Sequence, residues 1–97
     1  MVSNNELKQI SELVAETVGV SFEEMLSKQK NASLNMARGV FFLVCKLHNY
    51  HPKVVGKFLN RSRCSCILTT KQYLGYYDSK DKLVCSYVKQ IEDALKK

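Results

Sequence analysis

The side chains best suited to chemistry crowd into one stretch, Asn60-Arg61-Ser62-Arg63-Cys64-Ser65-Cys66. Three chemistries could use it. Cys64 and Cys66 could ligate zinc together with His48 and His51, which stand three residues apart upstream. They could form a redox pair. Alternatively, Arg61 and Arg63 could meet a polyanion at a helix start, where free amides and the positive dipole end favour anions. The spacing speaks against zinc, because a Cys-x-Cys pair is tighter than the usual zinc spacing. On a helix, residues two apart also point to different sides. The start of the chain, MVSNNELKQI, has neither a basic region nor an apolar run of the signal-peptide kind, so a cytoplasmic location with reduced thiols is expected. Cys45, Cys66 and Cys85 then read as small buried hydrophobes and Cys64 as a partly exposed thiol.

Catalysis has less support. Glu23 and Glu24 are accounted for by helix capping and the helix dipole. His48 and His51 read as helix-end residues, and no nucleophile–base pair is recognisable. Gly56-Lys57-Phe58 lacks the upstream glycine and the following Ser or Thr of a phosphate-binding loop. No catalysis, no metal and no cofactor are expected.

Charge favours the polyanion. The 97 residues carry a net charge of +6, and the sign is unevenly distributed. Every acidic residue lies between Glu6 and Glu24 or between Asp78 and Asp93. From Met25 to Tyr77 there is none, while nine cations are present: Lys28, Lys30, Arg38, Lys46, Lys53, Lys57, Arg61, Arg63 and Lys71. A basic middle without a single acid suits a surface facing phosphates.

The elements that must hold these residues are helical. One proline and four glycines are few breakers for an apolar content of 45%. No apolar run is long enough for a membrane span, so no membrane partner is expected. Ser3 to Glu6 fits a capping box for a helix over 3–18 with Leu7, Ile10, Leu13, Val14 and Val18 inward. Gly19 stops it. Ser21 to Glu24 is a second box, opening a short helix with Val20 and Met25 as staple. Residues 33–49 are apolar nearly all round, which marks a central helix, and Gly39 within it allows a close crossing. Pro52 opens a helix over 52–59. Asn60-Arg61 is a tight link, and Ser62 caps a helix over 62–76 with Ile67, Thr70, Tyr73, Leu74 and Tyr77 inward. Asp78 or Ser79 is expected to cap a last helix, 79–96, with Leu83, Val84, Tyr87, Val88, Ile91 and Leu95 inward. The expectation is an all-α fold of about six helices in one domain over 1–97.

Two helices joined by a short turn over about 51–76 make a helix-turn-helix. In that motif the second helix offers its first residues to base edges, and the first helix crosses the phosphates. Arg61, Arg63, Cys64 and Ser65 are therefore expected near bases. Lys28, Lys30, Lys53, Lys57, Ser62 and Lys71 are expected on phosphates.

From about Val20 to Tyr73 the chain also resembles the C-terminal DNA-binding domain of the bacterial chromosomal replication initiator DnaA. The matching pieces, in order, are MLSKQK, MARGVFFLVCKL, HPKVVGKFLN and SRCSCI. They stand where the family has a basic start, a helix begun by an Ala-Arg pair, a proline-led helix, and the signature Arg-Asp-His-Ser-Thr before an apolar residue. Val55, Gly56, Leu59 and Ile67 match the family's apolar and glycine positions. The resemblance implies a Trp-repressor-like helical fold that binds short duplex sites, singly or as a homodimer. The helix over 79–96 would be an addition to it. At the signature the chain departs: Ser62, Arg63, Cys64, Ser65 and Cys66 keep only the serine. Gly39 replaces the glutamine that often follows the Ala-Arg pair, and a basic residue of the family's minor-groove segment falls near Ala32. The resemblance thus carries the fold and phosphate binding, but not the family's own target sequence.

The expected function is non-catalytic binding of double-stranded DNA, in replication or transcription control or in a mobile element. The alternative is a protein-interaction module on a decayed helix-turn-helix, whose basic face binds an acidic protein partner. Preference among duplex sequences separates the two, whereas salt dependence is common to both.

Overall fold

From Ala37 to Cys45 every residue of one helix is buried. A helix with no outer face has to be enclosed by the others, and the architecture follows from that. The computed structural model describes residues 4–29 and 31–96, and among these the chain is all-helical. The elements are α1 (Asn4–Val18), α2 (Phe22–Leu26), α3 (Ala32–Leu47), α4 (Pro52–Phe58), α5 (Arg63–Asp78) and α6 (Lys82–Leu95). α3 is the central element and packs against each of the other five. Leu7, Ile10 and Val14 of α1, Met25 of α2, Val55 of α4, Cys66 and Tyr73 of α5, and Val84, Val88 and Ile91 of α6 join it in the core. Each fully buried Leu, Ile or Phe there contributes about 1.5–3 kcal/mol relative to exposure. Among the described residues no helix is long and apolar enough to cross a membrane.

Left-handed residues end the helices. Gly19 (φ 92°), Asn49 (φ 66°), Asn60 (φ 58°) and Lys80 (φ 61°) follow α1, α3, α4 and α5. After α3, α4 and α5 the hydrogen bonds are those of the Schellman motif: Tyr50 N–H donates to Cys45 O, Arg61 N–H to Gly56 O and Asp81 N–H to Tyr76 O. Asparagine tolerates this conformation better than most residues. Its use at 49 and 60 is thus readable locally, whereas Lys80 is placed by the packing of α5 and α6.

Three expectations need correction. α5 runs on to Asp78, and the cap of α6 is Asp81, whose Oδ1 accepts from the amides of Leu83 and Val84 at 3.1 Å each. Asp78 and Ser79 are consumed by the end of α5. Leu83, expected inward, is 49% exposed. Ile67, also expected inward, is 39% exposed. The buried arc of α5 is Cys66, Thr70 and Tyr73. Ile67 follows Cys66 and is turned about 100° away from it. The capping box expected at Ser3 lies outside the described residues. The second box forms as read, with Ser21 Oγ accepting from Glu24 N–H and Glu24 Oε1 accepting from Ser21 N–H, both at 3.1 Å.

Three contacts fix the outer helices on α3. The rings of Phe22, Phe58 and Phe41 pack in sequence, with centroids 5.7 and 5.8 Å apart, tying α2 and α4 to α3. Gly39 faces Tyr73 so closely that a Cβ there would lie 2.2 Å from the ring. The Tyr73 hydroxyl donates to Asn35 O at 3.4 Å. At the other end of α3, His48 Nε2 lies 2.8 Å from Glu92 Oε1, joining the end of α3 to α6.

Gly39→Ala is expected to destabilise the protein by about 1–3 kcal/mol through overpacking, despite about 1 kcal/mol of better helix propensity. Urea unfolding measures this. Tyr73→Leu should cost less in the Gly39→Ala background than in the parent, since the shorter side chain leaves room for the new methyl.

Candidate nucleic-acid interface

α4, the turn 59–62 and α5 form a helix, a turn and a helix within 51–78. Pro52 occupies the first turn of α4, where no amide donor is needed. His51 caps it, its Nδ1 accepting from Lys53 N–H at 3.1 Å. Gly56 lets the turn fold back onto α4. A Cβ at Gly56 would lie 3.1 Å from Arg61 O, 3.3 Å from Ser62 O and 3.4 Å from Cys66 Cβ. Ser62 then caps α5, its Oγ accepting from Ser65 N–H at 3.1 Å. The O–H of Ser62 stays available to a further acceptor such as a phosphate oxygen.

Most of the candidate residues reach the surface on this unit. Lys53 and Lys57 are exposed, one turn apart on α4. Arg63, Cys64 and Ser65 are exposed on the first turn of α5, and Lys71 is exposed two turns further along. Lys28 is exposed in the connector between α2 and α3 and comes to the same region of the fold. There a groove of about 780 Å³ runs between that connector, the start of α3 and α5, with Lys28, Asn35, Arg61, Ser65 and Gln72 in its walls. Lys30 lies outside the described residues.

Arg61, expected near bases, is held by protein carbonyls. It is half-buried, and its guanidinium donates to the carbonyls of Ser27 and Asn60. It ties the turn of the helix-turn-helix to the end of α2. Arg38, on α3, grips the same end of α2 from beneath. Only 7% exposed, it donates through Nε to Met25 O at 3.0 Å and through Nη2 to Glu24 O at 3.1 Å and Ser27 O at 2.8 Å. Burial, and next the neighbouring Arg61 charge, lower its pKa from the usual value. In the sequence, Arg38 reads as one cation among nine and as the arginine of the Ala-Arg pair, with no anchoring role. Its signal was position: an arginine amid an apolar run needs several acceptors, and the carbonyls ending a five-residue helix need donors.

The four residues weighed as zinc ligands take separate places. His48 pairs with Glu92, His51 caps α4, Cys64 is exposed and Cys66 is buried. Among the described residues no three His, Cys, Asp or Glu side chains gather where a metal ion could be held. Burial pushes the Cys45 thiol well up, and it raises Cys66 as well, against weaker opposing hydrogen bonds from Thr70 and the Gly56 backbone. Cys85, expected buried, is only partly so. In comparisons with known proteins, no family model and no curated protein matches the chain.

Arg38→Ala removes three charge-assisted hydrogen bonds to backbone carbonyls. It should cost about 3 kcal/mol in denaturant unfolding. Arg38→Lys should recover little of this, because an ammonium cannot span the same carbonyls as a planar fork. In the native protein, alkylation followed by mass spectrometry should modify Cys64 first, with Cys45 and Cys66 reacting only on unfolding.

Proposed function

We propose that the protein is a non-catalytic double-stranded DNA-binding domain, with α5 as the helix that enters the major groove and α4 as the helix that crosses the backbone. The carrying observation is the surface of α4 and the first half of α5. Lys53, Lys57, Arg63 and Lys71 are exposed on it, and no acidic residue lies between Met25 and Tyr77. Duplex DNA is a dense line of phosphates, and such a surface binds it by releasing condensed counterions. The acids sit elsewhere, on α1, on α2, at the α5–α6 junction and on α6.

Roles divide by position. Lys53 and Lys57, on one face of α4, address phosphates, joined by Lys28, Ser62 and Lys71. Arg63, Cys64 and Ser65, on the leading turn of α5, approach base edges. Arg63 suits guanine, to which arginine donates a bidentate pair in the major groove. Arg61 contributes to this surface mainly by anchoring the turn. The resemblance to the replication initiator's DNA-binding domain supports the same assignment of helices and suggests control of replication or of transcription as the setting. The changed signature residues imply a different target sequence.

Fluorescence anisotropy with random and selected duplexes tests this. Selected sequence should bind on the order of 10³-fold more tightly than random, and a difference within about threefold rejects sequence-specific binding. Lys57→Ala should weaken all duplexes alike and lower the slope of log affinity against log salt by about one. Arg63→Ala should cost roughly 1–3 kcal/mol on the selected duplex and relax preference at one base pair. The selected duplex should also protect Cys64 from alkylation.

A further inference from the structure

The outer face of α5 carries a well-exposed leucine. Leu68 is 69% exposed. By the helical turn of about 100° per residue it lies opposite the buried arc of Cys66, Thr70 and Tyr73. Cys64, Ser65, Lys71 and Gln72, all exposed, surround it one turn before and after. If α5 enters a major groove, as proposed above, Leu68 faces the groove one turn behind Cys64 and Ser65.

A leucine can neither donate nor accept a hydrogen bond, so most of the groove floor offers it nothing. The one apolar group there is the C5-methyl of thymine. We infer that Leu68 reads a thymine methyl, and that the preferred duplex carries thymine at the centre of the contacted site. The inference rests on the DNA-binding reading and deepens it. The surroundings of Leu68 favour this occupant over a protein. One apolar side chain with Ile67 at its flank, set among Ser65, Gln72, Cys64 and Lys71, is far too small an apolar area to hold a protein partner. The charged residues exposed on α4 and over the first nine residues of α5, Lys53, Lys57, Arg63 and Lys71, are all positive, which suits a polyanion. Gln72, one turn beyond Leu68, donates one amide hydrogen to the Tyr76 hydroxyl at 2.9 Å, and its second amide hydrogen and carbonyl oxygen suit an adenine, so an A·T-containing centre fits both side chains.

Uracil differs from thymine only by the missing methyl, which gives a clean test. Each thymine of the selected duplex is replaced by uracil in turn, and affinity is measured by anisotropy for the parent and for Leu68→Ala. One central position should lose about fourfold in the parent, the loss expected for one buried methyl. Leu68→Ala should bind the thymine duplex about as weakly as the parent binds the uracil duplex, and it should no longer distinguish the two at that position. Unchanged helicity and melting temperature of Leu68→Ala show that the exposed substitution leaves the fold intact. If every uracil duplex binds like the parent duplex, methyl reading is overturned while sequence-specific binding stands. The same holds if Leu68→Ala keeps the full uracil discrimination. Leu68→Ala with unaltered affinity for all duplexes places Leu68 outside the DNA contact and also overturns the inference. If no sequence is selected over random, sequence-specific binding fails and the thymine-reading inference fails with it, whereas non-specific DNA binding is judged by the salt dependence of affinity.

Discussion

The placement of α5 depends on one missing side chain. Gly39 sits in the middle of the most deeply buried helix, and the Tyr73 ring occupies the space its Cβ would take. Glycine in a helix interior costs about 1 kcal/mol in propensity, and here that cost is offset by the close approach of α3 and α5. Once Tyr73 is seated, Thr70 and Cys66 follow it into the core along one side of α5. The opposite side, which carries Leu68, is thereby turned outward. Gly56 repeats the device on a smaller scale, letting the turn before α5 press against α4. Two glycines therefore set both how α5 lies on the core and how α4 meets it.

The cations divide into two groups that composition alone cannot separate. Arg38 and Arg61 both donate to the carbonyl of Ser27 and end α2 without help from an acid. Guanidinium groups suit this work because a planar fork can satisfy several carbonyls while remaining charged. Lys28, Lys53, Lys57, Arg63 and Lys71 stay exposed. In the proposed reading they form the phosphate-facing and base-facing surface, and the two inner arginines, one buried and one half-buried, hold the helix-turn-helix in register with the connector that carries Lys28. Removing an inner arginine and removing an outer lysine are thus different experiments: one changes stability, the other changes affinity.

Much of the fold was legible because its signals are local. Apolar spacing marked α1, α3 and α6, and Ser21, Ser62, Gly19 and Pro52 announce helix ends through their own side chains or backbone freedom. His48 and His51 were read as helix-end residues and cap α3 and α4. Errors arose where neighbours choose the outcome. Ile67 and Leu83 are apolar and adjacent to inward positions, yet helix rotation turns both to solvent. Asp81 replaced Asp78 as a cap because α5 continued for two residues beyond its expected end.

The sequence by itself determined an all-helical chain, a buried central helix, a capped helix after a short turn and a basic middle without acids. These depend on periodicity, capping and charge count, which act within a few residues or need no geometry at all. Only the tertiary structure decided which cations stay exposed and which face of α5 is turned outward. Those outcomes depend on contacts between residues far apart in the chain, Arg38 with the end of α2 and Gly39 with Tyr73. A helix has no preferred rotation until another surface fixes it, and the crossing at Gly39 is what fixed α5.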